Sequence, residues 1–483
     1  MGFMNKANPA FYATKDKQFK QVLGVRDFLA LGVGTIISTS IFTLPGVVAA
    51  QYAGPAVVLS FLGAAVVAGL VAFAYAEMST VMPFAGSAYS WISVLFGEGW
   101  GWITGWALLA EYFVAVAFVG AGFSATFHEF LAPLNIDLPA SLKTPMVTYD
   151  TAGKMHFALS VDLIALLVIL VSALIVWRGA SDAGRVSQVL VILKIAAVLV
   201  FIFVGLSVIH PSNYTPFIAP HSASTQGGWG GIGAGVSVIF LAYIGFDSIA
   251  ANSAEAKNPS KTMPRGILGS LAIAVVLFSA VTLVLVGMQK YTHFAGQAAP
   301  ISWALTQAGF GTLSQVVSIV ADAGMFVALL GMVLAGSRLL YSFGRDGMLP
   351  QAMGKVNGES LPTNALVVLT LVTVIIGAFL PFTFLAQLIS AGTLIAFMFV
   401  SLGMFALRRR EGKDLPAPAY KMPFYPVLPV LGFMGSAFVF WGLQADAKLY
   451  CGIWFVLGLI IYFSYGQRNA KAHQLAEIQE NEA

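Results

Sequence analysis

Long apolar stretches, bounded by charged residues or by clusters of proline and glycine, recur along almost the whole chain. Each stretch has the roughly 20 residues that an α-helix needs to cross the apolar core of a bilayer. The pattern therefore predicts an all-α integral membrane protein with about twelve transmembrane helices. The predicted spans are 28–50, 56–81, 98–125, 158–177, 188–209, 230–253, 267–288, 314–341, 363–381, 384–407, 425–445 and 449–466.

Composition agrees with the membrane assignment. Hydrophobic residues make up 58% of the 483 residues and charged residues only 10%, whereas a soluble domain carries about a quarter charged residues. The single cysteine, Cys451, excludes an intramolecular disulfide and a multi-cysteine metal site. The six histidines show no ligand spacing. We therefore expect neither a metal ion nor a cofactor.

The distribution of lysine and arginine predicts the orientation. Of the 25 basic residues, twenty fall in segments that face one side of the membrane together with the N-terminus, four fall on the other side, and Lys194 lies within a span. Positive residues favour the inner side, so both termini are expected in the cytoplasm, and no nucleic-acid partner is needed to explain the basic charge. The expected organisation is a cytoplasmic tail over 1–27, one membrane domain over 28–466 and a cytoplasmic tail over 467–483, without a cleavable signal peptide.

Two spans contain sequences that interrupt a helix. The first has Gly32 and Gly34 before Ser-Thr-Ser at 38–40, and these hydroxyl side chains favour local hydrogen bonds over helix propagation. The sixth has glycines within 231–235, followed by FLAYIGFD at 240–247. Breaks five spans apart are expected from two inverted five-helix repeats, whose unwound backbone lies near the membrane midplane. The alternative is that these glycines only allow close helix packing.

Several short motifs, collinear over residues 20–465, carry a family resemblance. They are the glycine-rich stretch at 32–46, YAE at 75–77, PFAGSAY at 83–89, FLAYIGFD at 240–247, Glu255 with Asn258-Pro259, Met263-Pro264, RDGMLP at 345–350, and Met422-Pro423-Phe424 with Pro426 and Pro429. Together they resemble the cationic amino acid transporter family of the amino acid–polyamine–organocation superfamily.

The resemblance implies a fold and a binding mode. The fold is two inverted five-helix repeats plus two C-terminal helices, with helices 1 and 6 broken, and an amino acid is held between the broken helices during alternating access. Ser38 and Ser40 stand where the family has glycine, so their side chains either narrow the site or hydrogen-bond the substrate carboxylate. The implied substrate-binding residues of the first helix are Ile37, Ser38, Thr39 and Ser40, through backbone N–H groups. Those of the sixth helix are Phe240, Leu241, Ala242 and Ile244, and the carbonyl groups of Phe240, Leu241 and Ile244 meet the amine.

Lys194 and Glu111 are among the ionisable residues that lie within predicted spans, where a charge is energetically costly and indicates a function or a partner. In the resembled family a lysine at the position of Lys194 replaces the sodium ion of sodium-coupled relatives, which makes Lys194 the candidate for proton coupling. The alternative is a lysine that extends its amino group to the membrane surface. Glu111 matches a glutamate of the family and either pairs with Lys194, faces the cargo, or makes a structural hydrogen bond.

Asp322 bears on the choice of substrate. It interrupts the eighth span, and the family often lines the pocket for the substrate side chain with this helix. A carboxylate there would receive a lysine, arginine or ornithine side chain. The alternative is that Asp322 lies near the outer boundary and contacts water.

These observations favour a secondary active amino-acid transporter of the plasma membrane that works by alternating access. Proton symport and amino-acid exchange remain open, and cationic L-amino acids are the favoured cargo, with small neutral ones as the alternative. No phosphate-binding motif for ATP is present, and neither an enzyme nor a channel is indicated. A non-transporting amino-acid sensor would use the same residues. The expected partners are an amino acid, protons and membrane lipid, and the oligomeric state is open.

Overall fold

The computed structural model describes residues 3–38, 40–131, 138–149, 155–222, 224–297, 299–358, 360–379 and 382–470. Within this part, eight helical segments are long and apolar enough to cross a membrane, and three shorter apolar helices accompany them. The first segment, Val25–Val81, is 57 residues long and contains two of the predicted spans. With that segment counted twice and the three shorter helices included, the described residues contain twelve apolar helical segments, and the predicted all-helical membrane fold is confirmed.

The helices of the described residues are numbered in chain order, and one antiparallel hairpin follows the third crossing. The elements are α1 (Pro9–Lys15), α2 (Val25–Ile36), α3 (Ser40–Val48), α4 (Val57–Val81), α5 (Ala88–Leu95), α6 (Glu98–Leu131), β1 (Val147–Tyr149), β2 (Met155–Phe157), α7 (Leu163–Trp177), α8 (Ala180–Leu206), α9 (Gly228–Ile239), α10 (Phe246–Ala251), α11 (Pro259–Met288), α12 (Pro300–Gln307), α13 (Gly311–Arg345), α14 (Thr363–Phe379), α15 (Phe382–Arg410), α16 (Val427–Trp441) and α17 (Ala445–Ile461).

The first span is broken, as predicted. The helix α2 ends at Ile36, the backbone leaves helical geometry at Ile37 (ψ 68°), and α3 starts at Ser40. Gly32 and Gly34 lie inside α2 and not at the break. A Cβ atom on Gly34 would come within 2.2 Å of the Val327 side chain, so these glycines serve close packing, and the break lies between Ile36 and Ser40.

The sixth span shows the same division of roles. Its first half, α9, is followed by a 3₁₀ turn, Phe240–Tyr243, and by Gly245, whose φ of 126° is unfavourable for residues with a side chain. The second half, α10, then begins at Phe246. The earlier Gly231 lies inside α9, where a Cβ atom would come within 2.1 Å of the Tyr52 carbonyl oxygen. Gly231 therefore allows close packing, whereas Gly245 allows the break in the helix.

The segment before the first span is fastened to the membrane domain. Asn8 caps α1 by accepting a hydrogen bond from the Ala10 N–H group (2.9 Å). The Asp16 carboxylate, just after α1, is buried and accepts a hydrogen bond from the Ala85 N–H group (2.8 Å). This segment therefore covers the end of the helix bundle on the side that carries the N-terminus.

Candidate functional site

A cavity of about 750 Å³ lies between the broken helices and α6, α13 and α15; we name it the central cavity. Its lining extends to Tyr52, Gln297 and Gln444, which lie in connections on the side opposite to the N-terminal segment. None of the described residues that line it is charged. The walls are formed mainly by small and apolar side chains: Leu44, Val47, Ala115, Phe118, Val119, Ala234, Val238, Leu241, Ile244, Ala328, Met332 and Ile389.

The C-terminal end of α2 and the N-terminal end of α3, which meet at the break in the first span, both lie at this cavity. Ser38 and Ser40 line it, together with Thr35. The N-terminus of α3 carries backbone N–H groups without partners in its own first turn, which is a favourable position for a carboxylate. The N–H groups of Ile37 and Ser38, by contrast, donate to the carbonyl groups of Val33 (2.9 Å) and Ile36 (3.0 Å). Thr39 lies outside the described residues.

The break in the sixth span contributes two of its four candidate residues. Leu241 and Ile244 line the cavity, whereas Phe240 and Ala242 are buried behind it. The Phe240 ring packs edge-on against Phe397 (centroids 6.0 Å apart). The Phe240 and Ala242 side chains therefore do not line the cavity, and the predicted contact through carbonyl groups of this turn stays a prediction.

One hydroxyl group joins the two breaks. Thr35 Oγ1 donates to the carbonyl oxygen of Gly245 (3.1 Å) and also lies within hydrogen-bonding distance of the Leu31 carbonyl in its own helix (2.9 Å). Gly245, two residues after the 3₁₀ turn, is thus fixed against the end of α2. Sequence patterns could not reveal this contact, because its two partners are 210 positions apart.

Lys194 is fully buried on α8 and reaches the end of α2. Its ammonium group donates to the carbonyl oxygen of Gly34 (3.2 Å) and to that of Ile37. These carbonyl groups lie at the last turn of a helix, where cations are favoured. The amino group is directed inward, so the alternative of a lysine extended to the membrane surface does not describe this structure.

Glu111 does not reach Lys194 and does not line the central cavity. It lies on α6 one turn below Ala115, which is part of the lining, and its carboxylate accepts a hydrogen bond from Thr393 Oγ1 (2.6 Å). Asp247 at the start of α10 is its neighbour. Among the expectations for Glu111, a hydrogen bond to a neighbouring helix is the one seen here.

Asp322 lies in a different place from the one favoured above. It is buried, accepts a hydrogen bond from Thr126 Oγ1, and lines a separate groove between α6, α7, α8 and α13. On α13 the cavity residue next in sequence is Ala328, six positions further along and about 9 Å along the helix axis. Asp322 thus lines the separate groove and not the cavity, although its hydrogen-bond partner Thr126 is part of the cavity wall.

The sequence analysis did not single out the residues of α6 that form a cavity wall. Ala115, Phe118, Gly122 and Thr126 line it at spacings of three and four residues, so they share one face of the helix. The sequence signal for this wall was a stripe of mostly small residues along one face of the helix. Such stripes also occur wherever helices pack closely, so the stripe alone did not indicate a cavity.

The N-terminal side below the cavity is closed by a buried cluster of charges. Arg345 at the end of α13 donates to both carboxylate oxygens of Asp16 (3.1 and 3.0 Å) and to Asp346 (2.8 Å). The guanidinium carbon lies 3.7 Å from the centre of the Tyr12 ring. We call this group, Tyr12, Asp16, Arg345 and Asp346, the N-terminal latch.

A membrane-spanning helical bundle with two broken helices, a cavity between them and a closed opposite side defines a transporter. Comparison with known proteins identifies its family: a model of amino acid permeases matches residues 23–464, and the chain belongs to this family. It is 69% identical, over 98% of its length and all of the relative, to the branched-chain amino acid permease BcaP of Lactococcus lactis subsp. cremoris.

More distant relatives span different substrates by name. The chain is 34% identical to a methylthioribose transporter of Bacillus subtilis, over 95% of the chain and 96% of the relative. It is 29% identical to the vacuolar cationic amino acid transporter 4 of Arabidopsis thaliana, over 81% of the chain and 64% of the relative. The resemblance to the cationic amino acid transporters is thereby confirmed, and the chain is an amino-acid transporter and not an enzyme.

Proposed function

We propose that this protein imports branched-chain amino acids across the cell membrane by alternating access, driven by protons, with both termini in the cytoplasm. The observation that carries the proposal is the absence of charge among the described residues that line the central cavity. A lysine or arginine side chain would lose its hydration there without a carboxylate partner, at a cost of several kcal/mol. The relative with 69% identity carries a branched-chain amino acid permease name, which agrees with this choice.

The cavity offers a place for each part of such a substrate. The carboxylate would lie at the N-terminus of α3, and the ammonium group would lie at the carbonyl groups of the 3₁₀ turn, Phe240–Tyr243. A branched side chain would then bury its surface against Ala328, Met332 and Ile389. Burial of apolar surface contributes about 25 cal/mol per Å², so a leucine side chain gains more from this wall than an alanine methyl group.

Proton coupling is proposed for Lys194 because of its position. Its ammonium group donates to the Ile37 carbonyl group, three residues before the start of α3, so a movement at the first break would change the surroundings of this lysine directly. Counterflow of labelled leucine without a pH gradient, compared with accumulation driven by one, separates an exchanger from a proton symporter. A protein that binds leucine and shows neither activity would be a sensor.

The cargo is tested by thermal unfolding of the purified protein with single amino acids, because a ligand of the folded state stabilises it by about 2.7 kcal/mol at a hundred times its Kd. We expect leucine, isoleucine and valine to raise the unfolding temperature, and lysine, arginine and ornithine to leave it unchanged. Ala328→Val should weaken the effect of isoleucine, since overfilling a packed site costs about 1–3 kcal/mol. Ala323→Val is the matched control, because Ala323 lies on the same helix and lines the separate groove.

Stabilisation by lysine alone, abolished by Asp322→Asn, would contradict the branched-chain assignment and restore a cationic cargo. Stabilisation by alanine or serine alone would favour a carrier of small neutral amino acids. Equal effects of the two valine variants would show that the cavity is not the binding site.

A further inference from the structure

Two carboxyl groups lie together directly beneath the central cavity. Glu111 on α6 is one turn below Ala115, and Asp247 follows Ile244 by three residues; Ala115 and Ile244 both line the cavity. The side chains of Glu111 and Asp247 are 0% exposed and are within hydrogen-bonding contact of each other. We name these two residues the acid pair.

The neighbours of the acid pair are neutral donors. Tyr112 Oη donates to Asp247 Oδ2 (2.7 Å), the Gly245 N–H group donates to Asp247 Oδ1 (3.2 Å), and Thr393 Oγ1 donates to Glu111 Oε2 (2.6 Å). Within the described part of the chain, no lysine, arginine or histidine forms an ion pair with either carboxyl group. The other ionisable side chains that face the pair are the phenols of Tyr75 on α4 and Tyr112 on α6.

One oxygen atom of the pair lacks a donor. Glu111 Oε1 is buried and has no hydrogen-bond partner among the described residues when both carboxyl groups are ionised. Two carboxylates in contact repel each other strongly in a buried site, and one of them then retains a proton. A proton between the two groups satisfies Oε1 and removes the repulsion at the same time.

We propose that Glu111 and Asp247 form a proton-binding site that holds one proton between the two carboxyl groups while the N-terminal side is closed. The site is distinct from Lys194, whose hydrogen bonds go to α2 carbonyl groups. The bound ligand is a single proton shared within a carboxyl–carboxylate hydrogen bond, and it belongs to the pair and not to one residue.

The position of the pair connects this proton to the substrate cavity. The three helices that hold it each contribute a cavity residue on the next turn: Ala115 on α6, Ile389 on α15, and Ile244 before α10. The Asp247 carboxylate accepts a hydrogen bond from the Gly245 N–H group, and the Gly245 carbonyl group accepts one from the Thr35 hydroxyl group of the first span. A movement that opens the N-terminal side would separate these helices, admit water to the pair and release the proton. This last step, unlike the binding of the proton, rests on the proposed function.

Infrared difference spectroscopy of the purified protein tests the site without any transport. A protonated carboxyl group has a C=O stretching band that shifts in D₂O. We expect this band in the wild type at pH 7 and its loss in both Glu111→Gln and Asp247→Asn, because the amide then donates to the remaining carboxylate. Asp182→Asn, which changes a partly exposed carboxylate near the start of α8, should leave the band unchanged.

A fourth variant separates proton binding from a purely structural contact. Thr393→Val removes the donor to Glu111 and keeps both carboxyl groups, so the band should move in frequency and persist. Absence of the band in the wild type, or its full retention in both amide variants, would overturn the proposal. If sodium chloride raised the unfolding temperature above that in N-methylglucamine chloride, and Glu111→Gln removed this effect, the site would bind a monovalent cation and the proton assignment would be wrong.

If an amide variant fails to fold, the wild-type and Thr393→Val spectra still test the site. The wild-type spectrum shows whether a protonated carboxyl group is present, and a shift of its band in Thr393→Val assigns that group to the acid pair. Leucine stabilisation of the same samples reports on substrate binding separately. A missing band with normal leucine binding would therefore reject the acid pair alone, and a normal band without leucine binding would reject the proposed cargo alone.

Discussion

At the scale of single residues, the contacts of Lys194 depend on the absence of a side chain opposite to it. A Cβ atom on Gly324 of α13 would lie 2.5 Å from Lys194 Cε and 3.2 Å from its Nζ atom. The lysine side chain therefore occupies the space that this glycine leaves open. The eighth span contributes to the environment of Lys194 through Gly324, although Asp322, two residues earlier, lines a different groove.

Substitution of this glycine tests the position of the lysine. Gly324→Ala should displace the amino group from the Gly34 and Ile37 carbonyl groups, lower the unfolding temperature and reduce uptake driven by a pH gradient. Gly452→Ala on α17 is the control, since its Cβ atom would meet nothing within 4 Å. Thermal unfolding and proteoliposome uptake measure the two effects. Wild-type behaviour of Gly324→Ala in both would contradict the proposed role of Lys194.

At the scale of elements, the two broken spans act as one unit. Thr35 near the end of α2 holds the backbone of Gly245, and Gly245 in turn donates to Asp247 at the start of α10. A Cβ atom on Gly245 would come within 2.9 Å of Thr35 Cβ. This close approach and the φ of 126° both require glycine at the junction.

Gly245→Ala should therefore cost about 1–3 kcal/mol, the usual penalty for a strained backbone conformation, and should weaken amino acid binding by moving the breaks apart. Gly233→Ala in α9 is the matched control, because no atom lies within 4 Å of its Cβ position. The measurements are the unfolding temperature and the leucine-induced shift of both variants. If Gly245→Ala kept wild-type stability, the contact between the breaks would not be a constraint on the fold.

At the scale of the whole molecule, the cavity and the N-terminal latch lie on opposite sides. The latch consists of charges that are almost fully buried, with Arg345 1% and Asp16 4% exposed. Removal of one partner from a buried ion pair is strongly destabilising, because the remaining charge loses its compensation. The closed side thus depends on a segment that precedes the first span.

Asp16→Asn should open this side more often. In a Cys451→Ser background, Ser90→Cys reports the opening, since Ser90 is buried and accepts a hydrogen bond from Arg345 (3.0 Å). A loss of about 1.4 kcal/mol from the closed state raises the open population about tenfold, and we expect maleimide labelling of the introduced thiol to accelerate accordingly. Asp414→Asn, which breaks an exposed pair with Arg410, should have no effect. Equal labelling in both variants would show that Asp16 does not hold the latch.

Much of this protein is determined by local sequence. Apolar length predicted the twelve apolar segments. The Ser-Thr-Ser sequence at 38–40 and the motif around Gly245 predicted the two breaks, because helix formation depends on neighbouring residues. The family was also recognisable from local sequence, since its motifs are short and occur in collinear order.

Only the tertiary structure decided which charged residues meet the cavity. Glu111 and Asp322 were both candidates for substrate contact, yet Glu111 lies below the cavity beside Asp247, and Asp322 lines another groove while its partner Thr126 lines the cavity. The depth of a residue and the face it presents depend on how long helices cross, and partners such as Thr35 and Gly245 are 210 positions apart. Local periodicity carries no information about such pairs, because packing between distant segments creates them.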